Sequence, residues 1–353
     1  MPQEIIVTNT PASALAERLA IEKSLFILAD SNTARLVVPS LVAGCPVLRN
    51  ACIITIPAGD ENKNITTLSR VWAELSSNGA TRASMLINVG GGMVTDLGGM
   101  AAATFKRGVR FINLPTTLLG AVDAAVGGKT GINFGGLKNE IGVFRQADTV
   151  ILSSCYFNTL SPLELASGYA EIIKHALIDS SEALDQVLRF DLDAEADSAA
   201  LLDILARSVE VKRRIVAEDP CECGLRKALN LGHTVGHALE SLAMERHRPV
   251  PHGVAVAWGL ITSLVLSHMV YGFPASVLHR VADYVGRYYP VPALTCADYP
   301  RLVELMRHDK KNSSADAISF TLLEAPGALR LDTVVAEPDI LASLDILRDL
   351  LHI

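Results

Sequence analysis

The sequence predicts an α/β N-terminal domain built on a parallel sheet, followed by a mainly α-helical C-terminal domain. Three observations carry this. Apolar, β-branched runs alternate with helical patterns through residues 1–150. Glycine-bearing or polar turns follow those runs directly. Near residue 150 the rhythm changes, and helical periodicity dominates from Pro162 to His308. The expected division is therefore residues 1–150 and 151–353, with the two halves sharing a cleft.

In order, the strand-like runs are Ile5–Val7, Leu25–Ala29, Ile53–Ile56, Met85–Val89 and Phe111–Leu114, with helical patterns such as Ala12–Ala20 and Leu68–Ser77 between them. Unbroken apolar strands of this kind are buried on both faces, as in a parallel sheet covered by helices. Ligands of such sheets collect at the carboxyl ends of the strands. Asp30 and Asn32, Gly59–Lys63, Gly90–Asp96, and Thr116 with Thr117 all stand there. Late in the chain a hairpin is expected from Ile318–Leu323 and Leu329–Val334, turned by Ala325-Pro326-Gly327, and a helix from Pro338 closes the sequence.

The chain has 353 residues, half of them hydrophobic and 20% charged, which is enough for a large core and excludes a disordered chain. Lys and Arg number 31 against 38 Asp and Glu, for a net charge of −7, and no basic run stands out. That balance argues against a nucleic-acid partner. The six cysteines are scattered, and only Cys221 and Cys223 are close, at a spacing outside the usual zinc ribbons. With no basic or apolar leader at MPQEIIVTNT, the expectation is reduced thiols in a cytoplasm. From Gly253 to Leu278 the sequence is apolar enough to suggest a membrane span. Its serines, threonine and glycines instead point to a helix buried inside a helical domain, with no membrane partner.

Four local patterns carry chemistry. Asn88-Val89-Gly90-Gly91-Gly92-Met93-Val94-Thr95-Asp96 follows a strand and opens a helix, so backbone N–H groups can approach a pyrophosphate. It does not fit G-x-G-x-x-G, and a plain tight turn is the bland alternative. Asp30 can accept from a ribose hydroxyl or simply cap the following helix; Asp60 and Lys63 carry a similar ambiguity. Gly127-Gly128-Lys129-Thr130-Gly131, preceded by Asp123 and followed by Lys138-Asn139, suits a loop wrapping a phosphate or cofactor, or a solvated glycine loop.

The fourth pattern is a set of metal-ligating residues. Glu171 and Lys174 are three apart, and His233 and His237 four apart, so each pair shares a helix face. His252 follows in Pro251-His252-Gly253. Neutral imidazoles with one carboxylate, leaving open positions, are what a catalytic Zn²⁺ needs. Spacing alone allows either or both of His233 and His237 as ligands.

The ordered series GGGMVTDLGG (90–99), FKRG (105–108), LPTTLL (114–119), VDAAVGGKTGIN (122–133), LKNEIG (137–142), GYAEIIKHALI (168–178), GLRKALNLGHTVGHALE (224–240), PHG (251–253) and HDKKN (308–312) resembles the 3-dehydroquinate synthase family of sugar-phosphate cyclases. Any one motif is weak, but the set runs nearly the whole chain and is specific. The resemblance implies a Rossmann-like N-terminal domain binding NAD, an α-helical metal- and substrate-binding C-terminal domain, and a homodimer. It implies Glu171, His233 and His252 as ligands of Zn²⁺ or Co²⁺. For NAD it implies Asp30, Asn32, Asp60, Lys63, Gly91, Gly92, Met93, Val94, Thr95, Asp96, Thr116, Thr117, Lys129, Lys138 and the loop Tyr156, Phe157, Asn158 and Thr159. For the substrate it implies Asp123, Lys129, Lys138, Asn139, Lys174, Arg226, Asn230, His237 and Lys310 or Lys311, with Arg107 reaching the phosphate from the neighbouring subunit. Three positions depart from the family pattern: Val254 where Glu is usual, Thr95 for a glycine, and Ser161-Pro162 for Pro-Pro. Val254 removes a carboxylate that could stand behind His252.

The implied reaction is a phosphate-eliminating lyase step of the shikimate route, converting 3-deoxy-D-arabino-heptulosonate 7-phosphate to 3-dehydroquinate and phosphate. It passes through NAD-dependent oxidation, β-elimination, reduction, ring opening and intramolecular aldol closure. The competing readings are a sibling cyclase acting on sedoheptulose 7-phosphate, a metal-dependent polyol dehydrogenase, and a catalytically silent cofactor-binding protein.

Overall fold

The computed structural model describes residues 3–22, 24–135, 137–193, 198–307 and 318–353. They fall into two compact units, Met1–Leu160 with Glu195–Val209, and Ser161–Ala194 with Glu210–Ile353. The division after Leu160 lies some way beyond the change of rhythm near residue 150, because the loop after the last sheet strand stays with the sheet.

The first unit holds β1 (Glu4–Val7), α1 (Pro11–Leu19), β2 (Leu25–Asp30), α2 (Ser31–Leu36), α3 (Val38–Gly44), β3 (Cys52–Ile56), α4 (Ile65–Ser77), β4 (Met85–Gly90), α5 (Gly92–Thr104), β5 (Arg110–Pro115), β6 (Lys129–Phe134), β7 (Leu137–Phe144) and β8 (Thr149–Leu152). Six strands form a parallel sheet in the order β1-β8-β5-β4-β2-β3. Every residue of β2, β4 and β8 is buried, and Leu15, Leu19, Leu41 and Leu48 pack on Ile27, Ile87, Ile112 and Ile151. Fully buried strands explain why the sequence shows apolar runs rather than alternation.

From β2 the chain steps to β3 on one side and returns to β4 on the other. This reversal is where ligands of open parallel sheets bind. It sets the end of β2 at Asp30 beside the end of β4 at Gly90, with Ala29 opposite Val89.

Two features differ from expectation. The glycine loop at 127–131 turns only at Gly127 and Gly128, both at positive φ. Lys129 then opens β6, which pairs antiparallel with β7, Gly131 facing Gly142. A Cβ at Gly131 would lie 2.7 Å from the Ile141 carbonyl oxygen, so the two backbones need glycine to come this close. Strand β8, four residues long, joins the sheet between β1 and β5.

The second unit contains α6 (Pro162–Asp179), α7 (Ser181–Arg189), α9 (His233–Glu245), α10 (His252–Tyr271), α11 (Ala275–Tyr288), α12 (Tyr299–Arg307), the hairpin β9 (Ile318–Ala325) and β10 (Ala328–Val335), and α13 (Glu337–Leu350). Helix α8 (Ala199–Glu218) begins in the first unit's segment and ends in the second. The expected hairpin and closing helix are present.

Helix α6 starts at a capping box in which Ser161 and Glu164 satisfy each other's backbone amides, with Pro162 in the first turn. The substitution of Ser161-Pro162 for Pro-Pro thus supplies a cap. Helix α10 is long and apolar enough to cross a membrane, yet 83% of its apolar window is buried inside the protein. A helix apolar all round is then a core helix.

Candidate active site

Three helices of the second unit bring the expected metal ligands together. Glu171 lies in the middle of α6, His233 is the first residue of α9, and His252 is the first of α10. Glycines let these helices approach. A Cβ at Gly253 would overlap the Ser167 carbonyl of α6, and one at Gly259 would overlap the Gly232 carbonyl. Gly232 itself sits at φ 79°, a left-handed conformation that starts α9 at the required angle. The Gly253 amide donates to Ser167 Oγ at 3.1 Å, fixing the start of α10 on α6.

Glu171 is fully buried, and its Oε1 has no hydrogen-bond partner. His233 Nε2 and His252 Nε2 each lie 3.6 Å from that oxygen. Ligand atoms at about 2.0–2.2 Å from a tetrahedral ion stand roughly 3.4 Å apart, so this spacing suits one ion between them. Each imidazole is held from behind. His233 Nδ1 donates to the Leu231 carbonyl at 3.1 Å, and His252 Nδ1 to Glu240 Oε2 at 3.1 Å. The ring nitrogens of His233, His237 and His252 lie within 4.8 Å of one another, so His237 is also within reach of an ion. A buried carboxylate oxygen that accepts no hydrogen bond and faces two imidazole nitrogens fits a divalent metal.

The charges reinforce this. Burial would raise the Glu171 pKa, but Lys174 against Oε2, together with His252 and His175, holds it well below the usual carboxylate range. Lys174 is itself only 1% exposed. Burial would lower His252, yet Glu171 and Glu240 on either side push it up to about 9. A metal would therefore displace a proton here, a replacement of one cation by another.

Arg226 and Asn230 occupy the helical turn Leu225–Asn230 that leads into α9. The Asp219 carboxylate accepts from the amides of Cys223, Gly224 and Arg226 at 2.7–3.0 Å, which closes the loop before them. Arg226 is 2% exposed and donates to the Pro220 carbonyl at 2.7 Å. Asn230 donates to Glu222 at 3.2 Å.

In the first unit, Gly91–Asp96 and Thr116–Thr117 of the expected nucleotide residues lie at the carboxyl ends of β4 and β5. Helix α5 begins at Gly91 and Gly92 with no side-chain cap, which leaves its first amides open to an anion. A Cβ on Gly91 would press on Thr117 at 3.0 Å, and one on Gly120 would meet the Gly92 amide nitrogen at 3.0 Å. The segments after β4 and β5 thus form a cradle that side chains would fill. Thr95, in place of a glycine, turns its hydroxyl back to the Gly92 carbonyl. Val94 and Phe157 are in the core, so only their backbone is available to a ligand.

Asp30 stands at the end of β2 and caps α2 through one carboxylate oxygen, Oδ1, which accepts from the Asn32 and Thr33 amides at 2.8 and 3.0 Å. Lys63, 5% exposed, bridges Asp96 at 3.0 Å and Asp60 at 3.3 Å. Burial raises the Asp96 pKa to about 6, Lys63 pulls it down, and Asp123 and Asp60 add to the rise. Lys129, Lys138 and Asn139 are exposed on the β6–β7 hairpin, with Asn139 at φ 50°. Arg107 is exposed in a turn where both it and Lys106 have positive φ. Lys310 and Lys311 lie outside the described residues.

Two residues escaped the sequence reading. Asn133 donates to Asp60 through both its carbonyl and carboxylate oxygens, at 3.0 and 3.1 Å, and accepts from the Asn139 amide at 3.0 Å, joining the Asp60–Lys63 turn to the hairpin. Glu240 stands behind His252, a role the reading sought at position 254, where Val254 is wholly buried. Both lie in quoted motifs, but nothing in the spacing gives their partners. All six cysteines are free.

The fold, a parallel-sheet unit followed by a helical unit, superposes on sugar-phosphate cyclases of known structure. The 2-epi-5-epi-valiolone synthase of Streptomyces hygroscopicus subsp. jinggangensis, solved with NAD⁺ and Zn²⁺ bound, superposes with a TM-score of 0.85 at 24% identity, over 99% of this chain and 97% of its own. A 2-deoxy-scyllo-inosose synthase complexed with carbaglucose-6-phosphate, NAD⁺ and Co²⁺ gives 0.84 at 21% identity, over 98% and 96%. Within that class the chain belongs to the 3-dehydroquinate synthase family. Residues 53–167 match the family's N-terminal domain and 168–312 its C-terminal domain. The 3-dehydroquinate synthase of Parabacteroides distasonis is 48% identical over 349 residues, 98% of both chains.

Proposed function

We propose that the chain converts 3-deoxy-D-arabino-heptulosonate 7-phosphate to 3-dehydroquinate and phosphate, a phosphate-eliminating lyase reaction. The observation that carries the reading is the unpartnered Glu171 Oε1 with His233 and His252 Nε2 each 3.6 Å away. Glu171, His233 and His252 would hold Zn²⁺ or Co²⁺, which supplies Lewis acidity to a substrate hydroxyl. The Gly91–Gly92 cradle, with Thr116, Thr117, Lys63 and Asp96, would hold NAD, which accepts a hydride and later returns it.

The substrate's hydroxyl is oxidised, the neighbouring C–H bond breaks as phosphate leaves, and the same carbon is reduced again. The ring then opens and closes through an aldol bond, with no net redox change. The chain's residues serve these steps by charge and proton transfer. Lys174 and Arg226 are nearly buried cations suited to a carboxylate or phosphate. His237, half-buried beside the candidate ligand imidazoles, would exchange a proton with a hydroxyl. Lys129, Lys138, Asn139 and Asp123 would complete the polar set. We further propose a homodimer in which Arg107, exposed in its strained turn, reaches the partner's phosphate.

The test is incubation of the purified protein with Zn²⁺, trace NAD⁺ and the heptulosonate phosphate, or sedoheptulose 7-phosphate in parallel. Phosphate release far beyond the NAD⁺ added, with only the carboxylated sugar, is expected. NADH accumulating in step with substrate loss would replace this reading with a polyol dehydrogenase.

A further inference from the structure

The two candidate imidazole ligands present the same atom inward and are held by different groups behind. His233 Nδ1 donates to a backbone carbonyl, that of Leu231, at 3.1 Å. His252 Nδ1 donates to a carboxylate, Glu240 Oε2, also at 3.1 Å. A ring whose Nδ1 carries the hydrogen keeps its Nε2 lone pair for a metal, and the acceptor behind it fixes the ring angle. His233 and Glu240 are seven residues apart on α9, close to two full turns, so one helix face supplies both a ligand and the support for the other ligand. Glu240 is 5% exposed, so its carboxylate is not a surface group that found a histidine by chance.

Resting on the metal reading above, we propose that Glu240 is the positioning residue that holds His252 in its Nε2-ligating tautomer and angle. Position 254 plays no part in this, since Val254 is buried with no polar atom to offer.

The experiment measures Zn²⁺ affinity of the metal-freed whole chain by competition with a chromogenic chelator, in the wild type, Glu240→Ala, Glu240→Leu and Glu240→Gln. Loss of an outer partner of this kind weakens metal binding by roughly 10–100-fold. That loss is expected in Ala and in Leu, which fills the volume without an acceptor. Gln, whose carbonyl can accept the same N–H, should restore most of the affinity. Nitrogen-15 NMR of the His252 ring provides a readout that a merely structural role would not move. In the Zn²⁺-loaded chain it should show an Nε2-bound, Nδ1–H ring in the wild type and Gln variant, and a mixture of ring states in Ala and Leu. Unchanged affinity and tautomer in folded Ala or Leu variants would overturn the proposal. A wild type that takes up no Zn²⁺ would instead overturn the metal reading beneath it.

Discussion

Lys63 and Asp96 form an ion pair, Nζ to Oδ2 at 3.0 Å, with 6% and 16% of their side-chain surfaces exposed. The lysine comes from the turn after β3 and the aspartate from the first turns of α5, so the pair ties two of the strand ends where the nucleotide is proposed to sit.

This pair sets a pH dependence. Burial has raised Asp96 to about 6 from 3.8, against the pull of Lys63. Between those two values the folded chain keeps a proton that the unfolded chain has released. Stability from this group therefore falls as pH rises through that window. Lys63→Met removes the cation that opposes the rise, so the Asp96 midpoint should move above 6 and the window should extend upward. A carbon-13 NMR titration of the Asp96 carboxyl reads this directly. A midpoint at or below 6 in the variant would show that the two groups are not coupled.

Replacing Glu171, His233 or His252 by Ala should leave a folded protein that has lost metal and activity together, since three protein ligands are the usual minimum for a catalytic site. Elemental analysis alongside phosphate release checks this. Full occupancy in His252→Ala would transfer the third ligand position to His237.

His237 needs a separate variant, because its ring nitrogen lies within 4.8 Å of those of His233 and His252. If it moves protons rather than binding the ion, His237→Gln should keep stoichiometric metal while turnover drops by about 10²–10⁴-fold, as for a general acid–base group. Metal lost in proportion to rate would make it a ligand.

Gly253→Ala tests the close approach of α10 to α6. The added methyl overlaps the Ser167 carbonyl, a backbone atom that cannot rotate aside. The start of α10 must shift, carrying His252 with it. A destabilisation of about 1–3 kcal/mol is expected, typical of overpacking, together with weaker Zn²⁺ binding. Thermal melts and chelator competition measure both, and unchanged values would mean that the helix pair tolerates wider spacing.

Much of the site was legible because its information is local. Glu171 with Lys174 and His233 with His237 are helix-face pairs, and the strand that ends at Gly90 announces itself by its apolar run and the glycines after it. What was not legible is non-local. Strand β8 is a four-residue run whose place between β1 and β5 depends on partners more than a hundred and about forty residues earlier. The β6–β7 hairpin hides its strand character behind glycines that are there for backbone approach, so it reads as a loop. Asp30 caps α2, which starts directly after β2.

The sequence by itself determined the two kinds of architecture, the elements that compose them and the chemical types available to a site. Periodicity, caps and turn residues act within a few positions of one another. The tertiary structure alone decided which of those groups meet: that Glu171 faces His233 and His252 across three helices, and that Glu240 rather than position 254 stands behind His252. Those meetings depend on helix crossings set by Gly232, Gly253 and Gly259, where missing side chains let backbones touch. Such contacts join residues far apart in the chain, and no local pattern encodes them.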